Sequence, residues 1–467
     1  MNIFDKLESK NSSKIFCSGV SYSYKDLAED LDAFGKHISN ESLAFIICNN
    51  SYDFLVGYIS FIKKNIPVAF INDNIHPSLL QKLIERFKPS YLYAPSSIND
   101  LAVNWKKIKN FKTFNLFKDK SEFHFPIHKD LCLMLMTSGS TGSPEFVRLS
   151  HKNLYSNTVS ICQYLNINST DIAITTMPSS YSFGISVINS HLFRGASLVL
   201  TQSSFMEKNF WDDINKFNVT TFSGVPFSFQ MLKKLNFQKI SIPSLNYITQ
   251  AGGKLDSPTL EYFSEICSNK DIKFIVMYGQ TEASPRMSYL PPEKLSSKIN
   301  SIGIPIPGGR FELIDKSEEV VKKSFTEGEL VFYGDNVCMG YASSYRDLEL
   351  GDLNNGKLYT GDLAEFDNDN YFYITGRIKR FIKIYGNRIS LDSVEIKLNS
   401  LGFECACIGS DDKLIIFSEI EEDCQKINKY VRETFKLNQK NIIVKYLIKI
   451  PRNNSGKIQY PNLINLI

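Results

Sequence analysis

The chain lacks long apolar runs and any strong excess of charge. None of its hydrophobic runs approaches the roughly 18 residues that a transmembrane helix needs, and the first residues, MNIFDKLESKNSSK, lack the apolar core of a signal peptide. The net charge of +4 is too small to indicate nucleic acid or a membrane surface as a partner. These absences predict a soluble protein that has no membrane span and binds no nucleic acid.

The number and spacing of the cysteines do not fit a disulfide framework or a cysteine metal site. The nine cysteines are odd in number and scattered, without metal-type spacing. They fit a reducing compartment better than an oxidising one, which predicts a cytoplasmic location. The pair Cys405 and Cys407 lies in an apolar stretch and is interpreted as strand filling rather than a redox site.

The length and the balance of residue types indicate a globular protein of more than one domain. At 467 residues the chain is too long for one compact core, and its 43% hydrophobic and 22% charged residues are ordinary for such proteins. Strand-like and helix-like segments alternate to about residue 290, as in parallel sheets covered by helices. Short strands and turn residues dominate from about residue 300, and the tail after residue 390 has the size of a compact α+β domain.

The prediction is therefore an α/β multidomain fold. A large N-terminal domain of helix-covered sheets, with a small β-rich subdomain, precedes a short and mobile C-terminal α+β domain. Among the individual elements, strands are predicted at 20–24, 43–48, 67–71, 310–314, 328–332, 371–375, 381–385 and 442–446. Helices are predicted at 25–38, 77–87, 391–398 and about 424–435.

A loop of small and hydroxylated residues follows the apolar run 131–136, which is typical of a buried strand. The loop consists of Thr137, Ser138, Gly139, Ser140, Thr141 and Gly142. Glycine adopts backbone conformations closed to other residues, and hydroxyls donate hydrogen bonds to anionic oxygens. Such a loop can wrap the phosphates of a nucleotide, although alone it is equally typical of a solvated turn and lacks Walker spacing. Ser150 is predicted to be the N-cap of a following helix.

Four more motifs stand further along the chain. They read MYGQTE at 277–282, GEL through GY at 328–341, YTGDL and GRIK at 359–379, and PRNNSGK at 451–457. Each one alone is typical of a turn or a solvated loop. Together, and in this order, they resemble the adenylate-forming superfamily of acyl- and aryl-CoA synthetases, peptide-synthetase adenylation domains and firefly luciferase. The resemblance covers nearly the whole chain.

The resemblance implies an acid–thiol ligase. Members of the superfamily use ATP to convert a carboxylic acid to an acyl-adenylate, release pyrophosphate, and then pass the acyl group to a thiol. The expected cofactors are ATP and Mg²⁺, and the expected acceptor is CoA. Loading of a separate carrier protein through its phosphopantetheine is an alternative, and a non-catalytic nucleotide-binding homologue is a third reading.

The resemblance also implies roles for single residues. The loop 137–142 would wrap the triphosphate, Thr281 would contact a phosphate, and Glu282 would hold Mg²⁺ as a hard oxygen ligand. Asp362 would accept hydrogen bonds from both ribose hydroxyls, with Arg377 assisting at the ribose and phosphate. The other expected nucleotide contacts are Gly252, Gly253, Tyr278, Gly279 and Gln280.

Two lysines are expected to have roles in catalysis and in domain movement. Lys457 would reach the α-phosphate and carboxylate oxygens during adenylation. Lys379 falls at the hinge of the superfamily, between an AMP-binding domain at 1–378 and a C-terminal domain at 379–467. The C-terminal domain is shorter than in most members of the superfamily.

The segment 177–184 is expected to border the acid substrate. Amino-acid-activating members carry an aspartate where Gly184 stands, so a glycine there argues against an α-amino acid, whose ammonium would be buried without a partner. A partly apolar pocket for a small carboxylic acid is predicted from Tyr181, Phe183, Gly184, Ser223, Val225, Gln250 and Met277.

The phosphate loop departs from the superfamily pattern at one point. It usually continues Pro-Lys-Gly, but this chain reads Pro144-Glu145-Phe146. The missing lysine would have helped to neutralise the leaving pyrophosphate. Arg148 and Lys152 are the nearest candidates for a compensating charge.

Overall fold

The computed structural model describes residues 2–5, 7, 13–39, 43–98, 105–121, 123–138, 144–378, 380–384, 387–410, 412–435, 437–452 and 458–466. The elements up to residue 150 are, in chain order, β1 (Lys14–Cys17), β2 (Val20–Ser23), α1 (Tyr24–Gly35), β3 (Ala44–Cys48), α2 (Tyr52–Lys63), β4 (Val68–Asn72), α3 (Pro77–Phe87), β5 (Tyr91–Pro95), β6 (Trp105–Phe111), β7 (Phe114–Asp119), β8 (Leu131–Ser138) and β9 (Pro144–Ser150).

The middle of the chain alternates helices and strands. Its elements are α4 (His151–Tyr164), β10 (Ile172–Ile174), α5 (Ser182–Phe193), β11 (Ser197–Leu200), α6 (Lys208–Lys216), β12 (Thr221–Gly224), α7 (Pro226–Lys234), β13 (Tyr247–Gln250), α8 (Ser257–Asn269), β14 (Lys273–Gly279), β15 (Arg286–Leu290) and β16 (Ile304–Pro305).

Strands predominate in the last third. The elements there are β17 (Arg310–Ile314), β18 (Gly328–Tyr333), β19 (Gly340–Ala342), β20 (Lys357–Phe366), β21 (Phe372–Arg377), β22 (Phe381–Ile384), β23 (Asn387–Ser390), α9 (Leu391–Ser400), β24 (Cys405–Ser410), β25 (Lys413–Ser418), α10 (Asp423–Phe435), β26 (Ile442–Tyr446) and α11 (Tyr460–Ile464).

Two large sheets form the body of the molecule. One has the strand order β16-β15-β14-β13-β12-β10-β11-β1-β2, and the other has the order β19-β9-β8-β4-β3-β5-β7-β6. One core cluster joins side chains of both sheets to those of α2 and α5, so these two helices lie between the sheets. Both helices are apolar around most of their circumference, as burial on all sides requires.

The parallel strands of the first sheet place three chain turns at one edge. Strands β12, β13 and β14 pair in parallel and end at Gly224, Gln250 and Gly279. Carboxyl ends of parallel strands are the usual position of a ligand site in α/β sheets. The predicted residues that follow these strands are therefore brought to a common edge.

The remaining sheets belong to the β-rich and C-terminal parts. Strands β17, β18, β20 and β21 form a four-stranded sheet whose core also includes Ala283, Met287 and Ile306. From β22 onward two further core clusters draw their members only from residues 382–463. The predicted α/β multidomain class is confirmed, whereas the boundary at 378/379 and the hinge at Lys379 stay predictions.

The prediction was incomplete around residue 144. The sequence suggested that the loop leads into a helix, but the chain first returns as β9, antiparallel to β8. Phe146, Val147 and Leu149 of β9 are fully buried, which explains why the segment is a strand. The following helix α4 begins as predicted, because the Ser150 side chain accepts a hydrogen bond of 3.1 Å from the Asn153 amide.

Candidate active site

The first two residues of the predicted phosphate loop, Thr137 and Ser138, are the last two of β8, which pairs with β9. Thr137 stands opposite Glu145 in this pairing, and its hydroxyl lies 3.5 Å from the Glu145 carbonyl oxygen. Ser138 is the last residue of β8. The other predicted loop residues, Gly139, Ser140, Thr141 and Gly142, lie outside the described residues.

The end of β14 and the turn after it bring three predicted residues together. The Thr281 hydroxyl lies 3.1 Å from the hydroxyl of Ser182, the first residue of α5. Gly279 is enforced by packing, since a Cβ there would lie 1.8 Å from the Pro285 carbonyl oxygen. The Gln280 side-chain nitrogen is buried and has no partner among the residues that the structure describes. Buried donors are normally satisfied, so Gln280 offers a donor to a ligand.

Glu282 is the residue predicted to hold Mg²⁺. Its carboxylate accepts a 2.8 Å hydrogen bond from the hydroxyl of Tyr341. No group of three or more metal-ligating side chains was found within the described ranges. A single carboxylate is nevertheless what a nucleotide site needs, because Mg²⁺ there is held mainly by phosphates and water.

Asp362 is the centre of a polar cluster on β20 and β21. Its register partner Arg377 donates an Nε hydrogen bond of 3.0 Å, and the Tyr278 hydroxyl donates one of 2.5 Å to the other carboxylate oxygen. Burial and the neighbouring carboxylate raise the pKa of the Tyr278 hydroxyl well above its usual range, so it stays a donor. An ionised carboxylate accepts about four hydrogen bonds, which leaves Asp362 room for a ligand that presents two hydroxyls.

The turn after β13 is stabilised by hydrogen bonds within the protein. The Gln250 side chain donates a 2.8 Å hydrogen bond to the Gly253 carbonyl, and the Ser223 hydroxyl pairs with that of Thr249 at 2.8 Å. Gly252 has a φ of +86° and would clash with the Tyr181 hydroxyl if it carried a Cβ. Gln250 and Ser223, predicted as polar contacts for the acid, thus already have protein partners.

The predicted acid pocket is assembled at the start of α5. Phe183, Val225 and Met277 are all buried, and Tyr181 packs against the same core cluster. Gly184, however, is explained by packing, because a Cβ there would lie 2.3 Å from the Pro178 carbonyl oxygen. In this chain the close approach of the Pro178 carbonyl by itself explains the glycine, so Gly184 does not argue against an α-amino acid.

The proposed compensation for the missing loop lysine is wrong for Arg148. This guanidinium is fully buried and donates to the carbonyl oxygens of Met339, Tyr341, Leu350 and Gly351 at 2.5–3.3 Å. Lys152 forms an exposed ion pair of 2.8 Å with Asp335. Glu145 itself accepts a 3.2 Å hydrogen bond from the Ser343 hydroxyl.

The predicted catalytic lysine Lys457 and hinge Lys379 lie outside the described residues. What the structure shows is the frame on either side of Lys457. Arg452 and Ile458 form an antiparallel bridge, and the Gln459 amide donates to the Pro451 carbonyl at 2.8 Å. The residues that flank 453–457 are thereby held together.

Sequence reasoning gave no individual role to three residues that contact the predicted site residues, although Ser182 and Tyr341 lie within its motifs. Ser182 contacts Thr281, Tyr341 contacts Glu282, and Arg286 stacks its guanidinium 3.8 Å from the centre of the Phe183 ring. The available signal for Arg286 was a charged residue at the start of an otherwise apolar strand directly after the MYGQTE motif.

Comparison with known proteins places these features in a family context. Residues 6–342 match the family described as AMP-binding enzyme. An oxalate–CoA ligase of Saccharomyces cerevisiae is 28% identical over 394 residues, which cover 80% of this chain and 70% of that protein. An oxalate–CoA ligase of Arabidopsis thaliana is 28% identical, with coverages of 71% and 66%. The chain thus spans about two thirds of the length of these curated relatives.

Solved structures of similar fold span nearly the whole chain. The o-succinylbenzoate CoA synthetase of Bacillus subtilis, in complex with its acyl-adenylate intermediate, has a TM-score of 0.80 and 21% identity. The similarity covers 99% of this chain and 97% of that chain. The same enzyme with ATP and a magnesium ion has a TM-score of 0.78. Within the described part of this chain, no helix is long and apolar enough to span a membrane.

Proposed function

The chain belongs to the AMP-binding enzyme family, and on this premise we propose that it activates a carboxylic acid with ATP and transfers the acyl group to CoA. The predicted ligase class is confirmed by the family match and by the CoA ligases among the relatives. The observation that carries the proposal is that the end of β14 and the turn directly after it supply contacts to several predicted site residues. Tyr278 of β14 contacts Asp362, and Thr281 and Glu282 follow three and four residues later. One turn therefore links a diol-binding carboxylate to a phosphate and metal site.

In the first half-reaction, an oxygen of the acid attacks the α-phosphorus of ATP. A new P–O bond forms, the bond to the β-phosphate oxygen breaks, and pyrophosphate leaves with the electron pair. This step needs positioning and charge neutralisation more than covalent help. Mg²⁺, held in part by Glu282, would neutralise phosphate charge. Asp362 would fix the ribose, and Thr281 would position a phosphate oxygen.

In the second half-reaction, the CoA thiol attacks the acyl carbon and AMP leaves. By the family pattern Lys457 acts in the first half-reaction, and a rotation about Lys379 would bring the C-terminal domain into place for the second. Both roles, and the division at 378/379, are parts of the proposal. We also propose a cytoplasmic location, supported by nine cysteines that all remain free thiols.

The test is ATP–pyrophosphate exchange over a panel of carboxylic acids, followed by product analysis with CoA. The proposal predicts acid-dependent exchange and a CoA-dependent thioester. Exchange without thioester formation would instead favour the loading of a separate carrier protein. Absence of exchange with every acid, despite ATP binding, would favour a non-catalytic nucleotide-binding homologue.

A further inference from the structure

Arg286 is a buried charge that has no counter-ion among the described residues. Its side chain is on β15 and only 2% of the residue is exposed. The guanidinium reaches the Met277 sulfur and the Ser186 hydroxyl, each at 3.3 Å, and its Nε has no hydrogen-bond partner in the described part of the chain. The ionisable groups that act on it are the hydroxyls of Tyr164 and Tyr181, whose own pKa values are raised by burial. Both tyrosines are therefore neutral near pH 7.

The surroundings of Arg286 do not offset the loss of water around its charge. A thioether is a weak acceptor, a hydroxyl is neutral, and the face of Phe183 contributes only a cation–π contact. Burial lowers the pKa of Arg286, but a guanidinium starts so far above neutrality that it stays charged. Buried charges are normally paired because an unpaired one is costly. An anion beside the guanidinium would offset this cost.

Arg148 shows what a structural arginine looks like in the same protein. It is also fully buried, but its guanidinium donates to four backbone carbonyl oxygens. Its donors are thus used within the fold, and nothing remains for a ligand. Arg286 has no such set of acceptors among the described residues. Its donors are therefore available to a ligand, whereas those of Arg148 are not.

The position of Arg286 connects it to the acid pocket. Two of its contacts, Phe183 and Met277, are residues predicted to line that pocket. Its third contact, Ser186, lies one helical turn after Ser182 on α5, a rise of about 6 Å. Ser182 in turn contacts Thr281, the proposed phosphate-binding residue. The start of α5 therefore links the reacting end of the site to the guanidinium.

We propose that the acid substrate carries a second carboxylate and that Arg286 binds this distal carboxylate. The inference rests on the proposed function, because it names the acid that this same site activates. A planar guanidinium presents paired donors that match a carboxylate, and an anion here would satisfy the unpartnered Nε. The relatives do not decide the point, since their names include both an oxalate ligase and a feruloyl-CoA synthase.

The experiment compares each diacid with an analogue that has lost one charge. ATP–pyrophosphate exchange is measured with malonate, succinate, glutarate, adipate and phthalate, each beside its monomethyl ester. For the best diacid, kcat/KM is expected to exceed that of its monoester by about 10²-fold or more, since a site built for a polar group rejects an analogue without it. In Arg286→Met this ratio is expected to fall to about 1, and Arg286→Lys is expected to restore part of it.

The controls separate recognition from structure. Arg310→Met removes an exposed arginine of β17 and should leave the ratio as in the wild type. Because an unpaired charge destabilises the ligand-free protein, Arg286→Met should unfold at the same or a higher temperature than the wild type. A lower melting temperature with equal losses for diacid and monoester would overturn the proposal.

Two further outcomes also contradict the inference and are distinguishable. In the first, the wild type catalyses exchange as fast with monoesters or simple monoacids as with diacids. This result would contradict the role proposed for Arg286 but leave the proposed function intact. No exchange with any acid removes the proposed function, and this inference falls with it.

Discussion

Asp362 combines firm anchoring with spare acceptor capacity. Tyr278 and Arg377 each occupy one carboxylate oxygen, so the side chain is fixed before any ligand arrives. Fixed geometry is what a binding residue needs, because the entropic cost of ordering it has already been met in the fold. The remaining lone pairs are suited to the two hydroxyls of a ribose.

Replacing Asp362 by Ala should weaken ATP binding while leaving the fold intact. Loss of a charged partner for two hydrogen bonds is expected to cost about 1.5–3 kcal/mol or more. Isothermal titration calorimetry with ATP measures the effect. The control is Asp369→Ala, which removes an exposed carboxylate bonded to Lys298 and should leave ATP affinity unchanged. Equal affinities of the Asp362 variant and the wild type would remove Asp362 from the nucleotide site.

The two buried arginines mark where prediction from sequence reaches its limit. Arg148 and Arg286 both stand in short strands that follow a motif. Arg148 donates its hydrogen bonds to backbone carbonyls, whereas the Nε of Arg286 has no partner among the described residues. The difference depends on which loops pack against each strand, and that information is spread over the whole chain.

At the scale of elements, the β8–β9 hairpin positions Glu145 beside the proposed metal site. Its carboxylate accepts from Ser343, and both Glu145 and Glu282 help to raise the pKa of the Tyr341 hydroxyl, after the larger effect of burial. The two acidic side chains thus act on the same hydroxyl. A negative charge here opposes the approach of a triphosphate.

Replacing Glu145 by Lys should lower the KM for ATP. Reversing one partly exposed charge near the phosphates is worth on the order of 1 kcal/mol, so a change of about three- to tenfold is expected. Steady-state kinetics with varied ATP checks this. Glu433→Lys makes the same charge change at an exposed site on α10 and should have no effect. An unchanged KM in the Glu145 variant would show that the loop works through its backbone and hydroxyls alone.

Elements with a clear apolar period were predicted well, whereas the hairpin was not. The predicted strand at 310–314 and helix at 77–87 match β17 and α3 to the residue. Strand β9 begins with Pro144 and Glu145 and contains Arg148. Because of these residues the sequence lacks the apolar pattern of a buried strand, although the segment is buried on both faces. Burial of Arg148 depends on carbonyl groups some 200 residues away, a tertiary effect that local pattern cannot show.

At the scale of the whole molecule, the proposed ribose site lies next to the C-terminal part of the chain. Asp362 of β20 pairs with Arg377, the last residue of β21, and α9 of the C-terminal part packs against β21. The residues from β22 onward have their own cores. A separate core is what a domain needs if it is to move as a unit.

The order of motifs revealed the family and the two half-reactions, because five ordered motifs are a global signal. The acid substrate could not be obtained in the same way. The residues predicted to line its pocket come from segments that are far apart in the sequence and meet only in the folded protein. Arg286 lies just after the MYGQTE motif, but the sequence alone does not show which side chains pack around it.

The central claim is that this chain makes and then consumes an acyl-adenylate. Single-turnover assays of each half-reaction, on the wild type and on Lys457→Ala, test it most directly. We predict that the wild type forms acyl-AMP from acid and ATP and converts it to acyl-CoA. The variant should lose about 10²–10³ in the rate of adenylation, as expected for one charge contact to the reacting oxygens, yet still transfer the acyl group from supplied acyl-adenylate. Failure of the wild type to form acyl-AMP with any acid, or equal losses of the variant in both steps, would contradict the account.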